Sequence, residues 1–408
     1  MRYFENKMTV KDVDCTGKRV LMRVDFNVPL GEDGKVADDL RIKSALPTLE
    51  YVLKKNAKVI LMSHLGRPKG KRVPGMSLAP VKEALEGMVD APVHFADDCV
   101  GPDVEKAAAS LEGGEILLLE NLRFHPEETE NEPGFAKKLA SLGEVYVDDA
   151  FGTAHRAHAS TTGVTNFISP AVAGFLLERE IEFLGKVLVN PSKPFVAILG
   201  GAKISGKIDV IQNLIGKVDG MLIGGGMANT FMKAAGKEIG DSLYEESALE
   251  TARGLVELAG SKEVDFLLPA DYLAAKKVEA GARTVEVQES QAVPAGYAIV
   301  DIGPRTITLF SDKVRRAHTI FWNGPMGIFE IEDFSKGTVE LARAVADATT
   351  GGTISVIGGG DTASAAKKAG VAAEITHVST GGGASLEFVG GKELPGIAAL
   401  TDKGRGQV

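Results

Sequence analysis

The chain has 408 residues, 44% of them hydrophobic and 25% charged, a length for two or three domains and a composition typical of a soluble globular protein. Its formal net charge of −9 argues against wrapping nucleic acid, which calls for a basic stripe. Two cysteines, Cys15 and Cys99, with no CxxC pair exclude a disulfide scaffold or zinc ribbon and fit a reducing, cytoplasmic compartment. The N-terminus has no apolar leader core, and no run approaches eighteen apolar residues, so no membrane span is expected.

In chain order, Arg19–Asp25 reads as a strand and Arg41–Lys55 as an amphipathic helix. Lys58–Ser63, Glu115–Leu119 and Glu144–Asp148 are near-continuous apolar runs, the pattern of strands buried on both faces. Helical windows at Leu78–Met88, Val104–Ser110 and Gly134–Leu142 lie between them, giving the βαβ rhythm of a parallel sheet. Residues 157–170 are polar and turn-rich. Ala171–Val189 reads as one long linker helix, broken by Asn190-Pro191-Ser192-Lys193-Pro194. The rhythm then restarts, with strands at Phe195–Leu199, Gly220–Ile223, Asp265–Leu268, Thr319–Trp322, Thr353–Ile357 and Thr376–Ser379. Helices are expected at Lys207–Ile215, Met227–Ala235, Ala248–Leu258, Phe334–Ala348 and Thr362–Lys368. The tail after Val389 shows no element. The expected fold is α/β, with two doubly wound parallel-sheet (Rossmann-like) domains, 1–170 and 191–385, joined by a linker helix at 171–190 and a hinge.

Ligands of open parallel sheets sit outside the carboxyl ends of the strands. In the first half those ends carry charge: Asp25-Phe26-Asn27, Ser63-His64-Leu65-Gly66-Arg67, Glu120-Asn121-Leu122-Arg123 and Ala154-His155-Arg156. Arginine pairs bidentately with phosphate and carboxylate, so the rule gathers Arg41, Arg67, Arg123 and Arg156 into a site for a small anion. Taken singly each is a surface arginine. His64 is either a satisfied core residue or, given Gly66-Arg67-Pro68 after it, part of an exposed loop.

In the second half the strand ends carry glycine, which is 48 of 408 residues, about 12% against a usual value of about 7%. Glycine turns before helix N-termini suit phosphates. Gly201-Ala202-Lys203-Ile204-Ser205-Gly206-Lys207-Ile208 approaches the P-loop pattern but has Ile208 where the magnesium-holding hydroxyl belongs. What survives is a glycine turn with two lysines on one face of a helix start. In Gly358-Gly359-Gly360-Asp361-Thr362, Asp361 is either a helix N-cap or a magnesium ligand beside phosphates. Gly381-Gly382-Gly383 opens another helix. Trp322-Asn323-Gly324-Pro325 through Glu330 offers an apolar face for a purine and an acid for a ribose, or is simply a loop. No GxGxxG run is present, against a dinucleotide fold, and no kinase HRD or DFG set, nucleophile elbow or HExxH motif. Phosphoryl transfer without an obvious general base fits an acceptor that is already ionised.

Together these segments resemble the phosphoglycerate kinase family over nearly the whole chain. The resemblance rests on Arg23–Pro29, Ser63–Pro68, Glu120–Phe124, Asp149–His158, Leu199–Lys203, Gly224–Met227, Asn323–Pro325, Gly359–Thr362 and Ser379–Ser385. It implies reversible phosphoryl transfer between 1,3-bisphosphoglycerate and ADP in glycolysis, with Mg2+ and ATP/ADP, in a cytoplasmic monomer whose partners are small molecules. It implies that 3-phosphoglycerate contacts Asp25, Phe26, Asn27, Arg41, His64, Leu65, Gly66, Arg67, Arg123 and Arg156. It also implies that Lys207, Gly225, Asn323, Pro325, Glu330, Gly359, Gly360, Asp361 and Thr362 hold the nucleotide, with the metal on Asp361. Arg41, Lys203 and Gly382 would be catalytic. Domain 1–170 would bind the triose, 191–385 the nucleotide, and 386–408 would return towards the N-terminal domain. The hinge would lie in 157–190 and near Thr380. Gly206, where a polar residue is expected, and Asp148, where asparagine is common, depart from the family pattern.

Overall fold

A computed structural model describes residues 2–404. The chain divides into two compact units, one formed by residues up to Glu182 together with those from Glu393 onward, the other by Phe183–Lys392.

The first unit is built on six strands: β1 (Arg19–Val24), β2 (Lys58–Met62), β3 (Val93–Ala96), β4 (Ile116–Leu119), β5 (Val145–Asp149) and β6 (Ala171–Ala173). They pair in parallel in the order β3-β4-β2-β1-β5-β6. The apolar runs become strands because helices cover both faces: all four residues of β4 are buried, as are five of six in β1. Val20, Met22, Val59, Leu61 and Val147 from the sheet pack with Leu49, Val52 and Leu85 from helices. Crossovers run from β1 towards β2 and from β5 towards β6, in opposite directions. The switch point therefore lies between the carboxyl ends of β1 and β5.

The second unit holds β7 (Phe195–Leu199), β8 (Gly220–Ile223) and β9 (Asp265–Leu267), then β10 (Asp271–Ala275), β11 (Thr284–Gln288) and β12 (Ala298–Ile302), and last β13 (Thr319–Asn323), β14 (Ile354–Gly358) and β15 (His377–Val378). Six of these form a parallel sheet in the order β15-β14-β13-β7-β8-β9. Its switch point falls between β7 and β13. The other three form a separate antiparallel sheet, β11-β10-β12.

Three features differ from the sequence expectation. The expected helix over 171–189 is a strand, β6, followed by the helix Phe175–Val189. The break falls at Gly174, where a Cβ would collide with the Asp149 carboxylate, 2.3 Å from Oδ1. That same Oδ1 accepts from the amides of Leu176 and Leu177, so Asp149 ties down the first turn of the helix. The antiparallel sheet and β3 were not anticipated; half-exposed strands carry little apolar signal, and β11 has one buried residue in five and β3 two in four. The tail does contain an element, the helix Pro395–Ala398, and Thr401 bridges Met8 and Ala171 through backbone hydrogen bonds.

Candidate functional site

The carboxyl ends of β1, β2 and β4 meet in a bonded set of polar groups. Arg41, from the helix Leu40–Lys54, places Nη1 2.5 Å from Asp25 Oδ2. Asn27 Oδ1 accepts from the Gly66 amide at 2.8 Å, and Arg123 Nη1 donates to the Gly66 carbonyl at 2.9 Å. The loop after β2 is thus clamped from both sides by residues expected in the site. Gly66 has φ +64 and so occupies the left-handed region. Asn121 holds the same loop, accepting from the Leu65 amide and donating to the Leu65 and Met76 carbonyls.

His64 is buried, not part of an exposed loop, because Arg23 lies beside it. Arg23, next to last in β1, is fully buried, with Nη2 3.1 Å from His64 Nδ1 and Nε donating to Ser160 Oγ at 2.9 Å. Guanidinium can only donate, so Nδ1 must accept, and the proton of neutral His64 sits on Nε2. Burial, then the neighbouring Arg23, Arg123 and Arg41, holds the imidazole well below its ordinary pKa, so it stays neutral at physiological pH. Burial likewise lowers His158 to about 4 and Arg123 to about 10, with nearby arginines adding to each shift. Glu128, fully buried, accepts from the Ser160 amide and hydroxyl and faces the charge of Arg23. Arg23, Glu128, Ser160 and Asn121 were given no role from sequence. The one available signal is Arg23, a charge inside an apolar strand buried on both faces; Glu128 lies in the short helix Pro126–Glu130 with no local mark of its burial.

Arg123 has a buried Nε with no hydrogen-bond partner, and Arg156, beside it, donates Nε to His155 Nε2. Arg67 is exposed. Phe26 and Leu65 point into the core, leaving only their backbones at the rim. The Phe26 amide is held by Ser63 Oγ. At this rim the arginines outnumber the carboxylates, leaving a local excess of positive charge.

In the second unit the turns after β7, β8 and β13 interlock through backbone. Gly200 donates to the Asn323 carbonyl, Gly201 to Pro325 and Gly225 to Met326. A Cβ at Gly200 would lie 2.1 Å from the Pro325 oxygen, and one at Gly225 2.7 Å from the Gly201 nitrogen. Gly225, at φ +65, opens the helix Gly225–Ala234. Pro325 is buried, and Thr362 uses its hydroxyl to accept from the Gly324 amide at 2.6 Å. Lys207 Nζ reaches Asn323 Oδ1 at 2.6 Å, and Asn323 Nδ2 reaches the Gly358 carbonyl at 2.6 Å. Burial lowers the Lys207 pKa to about 8, with Asp361 pulling it back up.

Lys203 and Lys207 do not share a helix face. The helix starts only at Ile208, Lys207 stands at its N-cap and Lys203 is exposed in the preceding turn. Nor is Asp361 a cap. The N-cap of Gly360–Lys368 is Gly359, at φ +91, and Asp361 sits exposed in the first turn with no capping bond. Gly360 is exposed beside it, and Glu330 is exposed on the turn after Phe329. Gly382, at φ +51, precedes the helix Gly383–Val389, and its carbonyl accepts from Ser385 Oγ.

One sheet is rimmed by arginine and the other by glycine, and comparison with known proteins places such a chain among the phosphotransferases. The family model described as "Phosphoglycerate kinase" matches residues 10–392. A phosphoglycerate kinase of Chlorobium phaeobacteroides is 56% identical over 97% of this chain and 100% of its own, and one of Moorella thermoacetica 57% identical over the same shares. The solved structure of phosphoglycerate kinase from Coxiella burnetii is similar at a TM-score of 0.87 and 42% identity, covering 96% of this chain and 98% of that one. The chain belongs to the phosphoglycerate kinase family. It is an enzyme that transfers a phosphoryl group between ATP/ADP and a carboxylate of phosphoglycerate, in glycolysis.

Proposed function

We propose that the first unit holds 3-phosphoglycerate on Asp25, Asn27, Arg41, His64, Arg67, Arg123 and Arg156, together with the backbones of Phe26, Leu65 and Gly66. The observation that carries this is the single bonded set joining Asp25 to Arg41 and Gly66 to both Asn27 and Arg123. Its arginines supply bidentate donors, and the Nε2–H of His64 supplies a neutral one.

The second unit, on this reading, binds ATP/ADP. Lys207, Gly359, Gly360 and Gly382 meet the phosphates, Gly225, Asn323, Pro325 and Thr362 shape the base slot, and Glu330 meets the ribose. The residues present also fit magnesium. Asp361 is an exposed carboxylate free of any capping bond, set against the charge of Lys207, and magnesium favours one or two carboxylates plus phosphate oxygens. Bound there it would neutralise phosphate charge.

The acceptor carboxylate is ionised at neutral pH, so no base has to remove a proton before it attacks. The work left to the protein is to bring acceptor and donor into line, exclude water and stabilise charge on the transferring group, with Arg41, Lys203 and the amide at Gly382 in that role. Lys203 is exposed in the turn before the helix, with the Glu245 carboxylate near enough to feel its charge, which suits a group that engages late. Acting on small molecules fits the net charge of −9, and the two buried, unpaired cysteines fit a reducing cytoplasm. No helix among the described residues is long and apolar enough to cross a membrane. We also place it as a monomer; the large apolar side chains that are exposed are scattered along the chain.

The test is a coupled assay with 3-phosphoglycerate, ATP and magnesium on the wild type and Lys203→Ala. Turnover should fall about 100-fold or more in the variant, with ADP affinity kept within about threefold. Equal losses in turnover and in ADP affinity would assign Lys203 to ground-state binding instead.

A further inference from the structure

Among the described residues, one group of three potential metal donors gathers away from the residues assigned to either ligand. Asp98 and Cys99 come from the loop after β3, and His125 from the turn that follows Leu122–Phe124 after β4. Their ligand atoms all lie within 4.8 Å of one another. His125 Nε2 is 2.6 Å from Asp98 Oδ1, and the Cys99 thiol also lies against the Asp98 carboxylate. Cys99 is fully buried, whereas His125 and Asp98 are partly open to solvent.

We infer that Asp98, Cys99 and His125 form a binding site for one soft divalent cation of the zinc class. The donor set is the first reason: one thiolate, one imidazole and one carboxylate match zinc or cobalt and not magnesium, which takes oxygens. Geometry is the second. Bonds of about 2.0–2.3 Å in a tetrahedron put ligand atoms roughly 3.3–3.8 Å apart, a span that lies within the 4.8 Å separating these ligand atoms at most. The third reason is that the ligands are already oriented. The His125 ring packs on Phe135 at a centroid distance of 5.3 Å, and the Cys99 amide donates to Asp98 Oδ1. Arg72 lies 3.8 Å from the other oxygen, Oδ2, and stacks over Phe124. A cation would therefore take Oδ1 alone, and Arg72 would hold Oδ2 as an outer partner. Three protein ligands leave a fourth position for water. Binding breaks the His125–Asp98 hydrogen bond, forms Sγ–metal, Nε2–metal and Oδ1–metal bonds, and releases the Cys99 thiol proton to solvent.

Placement gives the site a consequence. Arg123 lies two residues before His125 in the same turn, and its guanidinium clamps Gly66 in the proposed acid site. An occupied site would fix that turn from its far side.

Cobalt(II), added alone to the full-length protein without nucleotide, reports on the site directly, because a thiolate ligand gives a near-ultraviolet charge-transfer band. We expect one cobalt per chain, a band present in the wild type and in Cys15→Ser, absent in Cys99→Ser, and displaced by zinc. His125→Gln, at a partly exposed position, should keep the native circular dichroism and bind cobalt at least about tenfold more weakly. No charge-transfer band in the wild type, a band that survives in Cys99→Ser, or unchanged affinity in a folded His125→Gln would each overturn the inference.

Discussion

Asp148 carries the clearest single-residue liability in the chain. It is fully buried at the end of β5, its Oδ1 accepts from the Ala150 amide, and its Oδ2 has no hydrogen-bond partner. Burial raises its pKa to about 7, against the pull of Arg23. The folded state then holds a proton that the unfolded state, near 3.8, gives up. The contribution is full below about pH 4, is lost as pH rises to about 7, and is flat above. Asp148→Asn keeps the acceptor and removes the charge, so it should gain about 1–3 kcal/mol at pH 8 and little at pH 4, since one pKa unit is worth about 1.4 kcal/mol. Denaturant unfolding at the two pH values checks this, and an equal effect at both would mean that charge is not the cause. Lys207 gives a second pH signature, in binding rather than in folding. Its pKa is lowered to about 8, so it is charged below that and neutral above. ADP phosphates are fully ionised there, so ADP affinity should hold to about pH 7.5 and fall by up to about tenfold per unit beyond 8.5. Calorimetry that finds constant affinity through pH 9.5 would remove Lys207 from the phosphate site.

At the level of elements, the glycine turns act by letting backbones touch. Gly200→Ala would press a methyl onto the Pro325 and Gly324 carbonyls, neither of which can move without opening the switch point between β7 and β13. It should lose about 1–3 kcal/mol of stability and weaken ADP binding. Gly206 has open space around its Cβ direction and no positive φ, so Gly206→Ala should be neutral or slightly stabilising. Thermal unfolding of the pair distinguishes crowded glycines from idle ones; a Gly200→Ala protein as stable as the Gly206→Ala protein would refute the close-packing argument. The apolar runs and glycine clusters that mark β1, β2, β4, β5, β7, β8, β13 and β14 were legible because burial on both faces leaves an uninterrupted hydrophobic signature. Where local pattern and tertiary contact disagree, the sequence misled. Ala171–Val189 has helical composition throughout, but pairing with β5 and the Asp149 carboxylate cut it at Gly174. The antiparallel sheet β10–β12 was lost because β11 and β12 are partly exposed and carry a weak apolar signal; β10, buried at four of its five positions, was missed all the same.

At the scale of the whole molecule, the rule that ligands sit at strand carboxyl ends was enough to separate an arginine rim from a glycine rim. It could not show how each rim is held. Arg23 has no separate role in the sequence reading, yet its buried guanidinium fixes which nitrogen of His64 carries the proton. Asp361 reads from sequence as either a helix cap or a metal ligand, and only the fold removes the first choice, because Gly359 occupies the cap position. These are facts of side-chain packing across elements far apart in sequence, and no local window contains them. The division of labour between the two units is the claim on which the rest depends, because transfer between them has meaning only if each holds one ligand.

Calorimetric titration of Arg41→Ala with 3-phosphoglycerate and, separately, with ADP tests that division most directly. Arg41 is half-exposed and its ion pair among the described residues is with Asp25, so its removal should spare the fold. The account predicts 3-phosphoglycerate binding weakened at least about tenfold, about 1.4 kcal/mol, with ADP affinity unchanged. An ADP affinity that falls as far as that of the acid, or an acid affinity that does not fall, would contradict it.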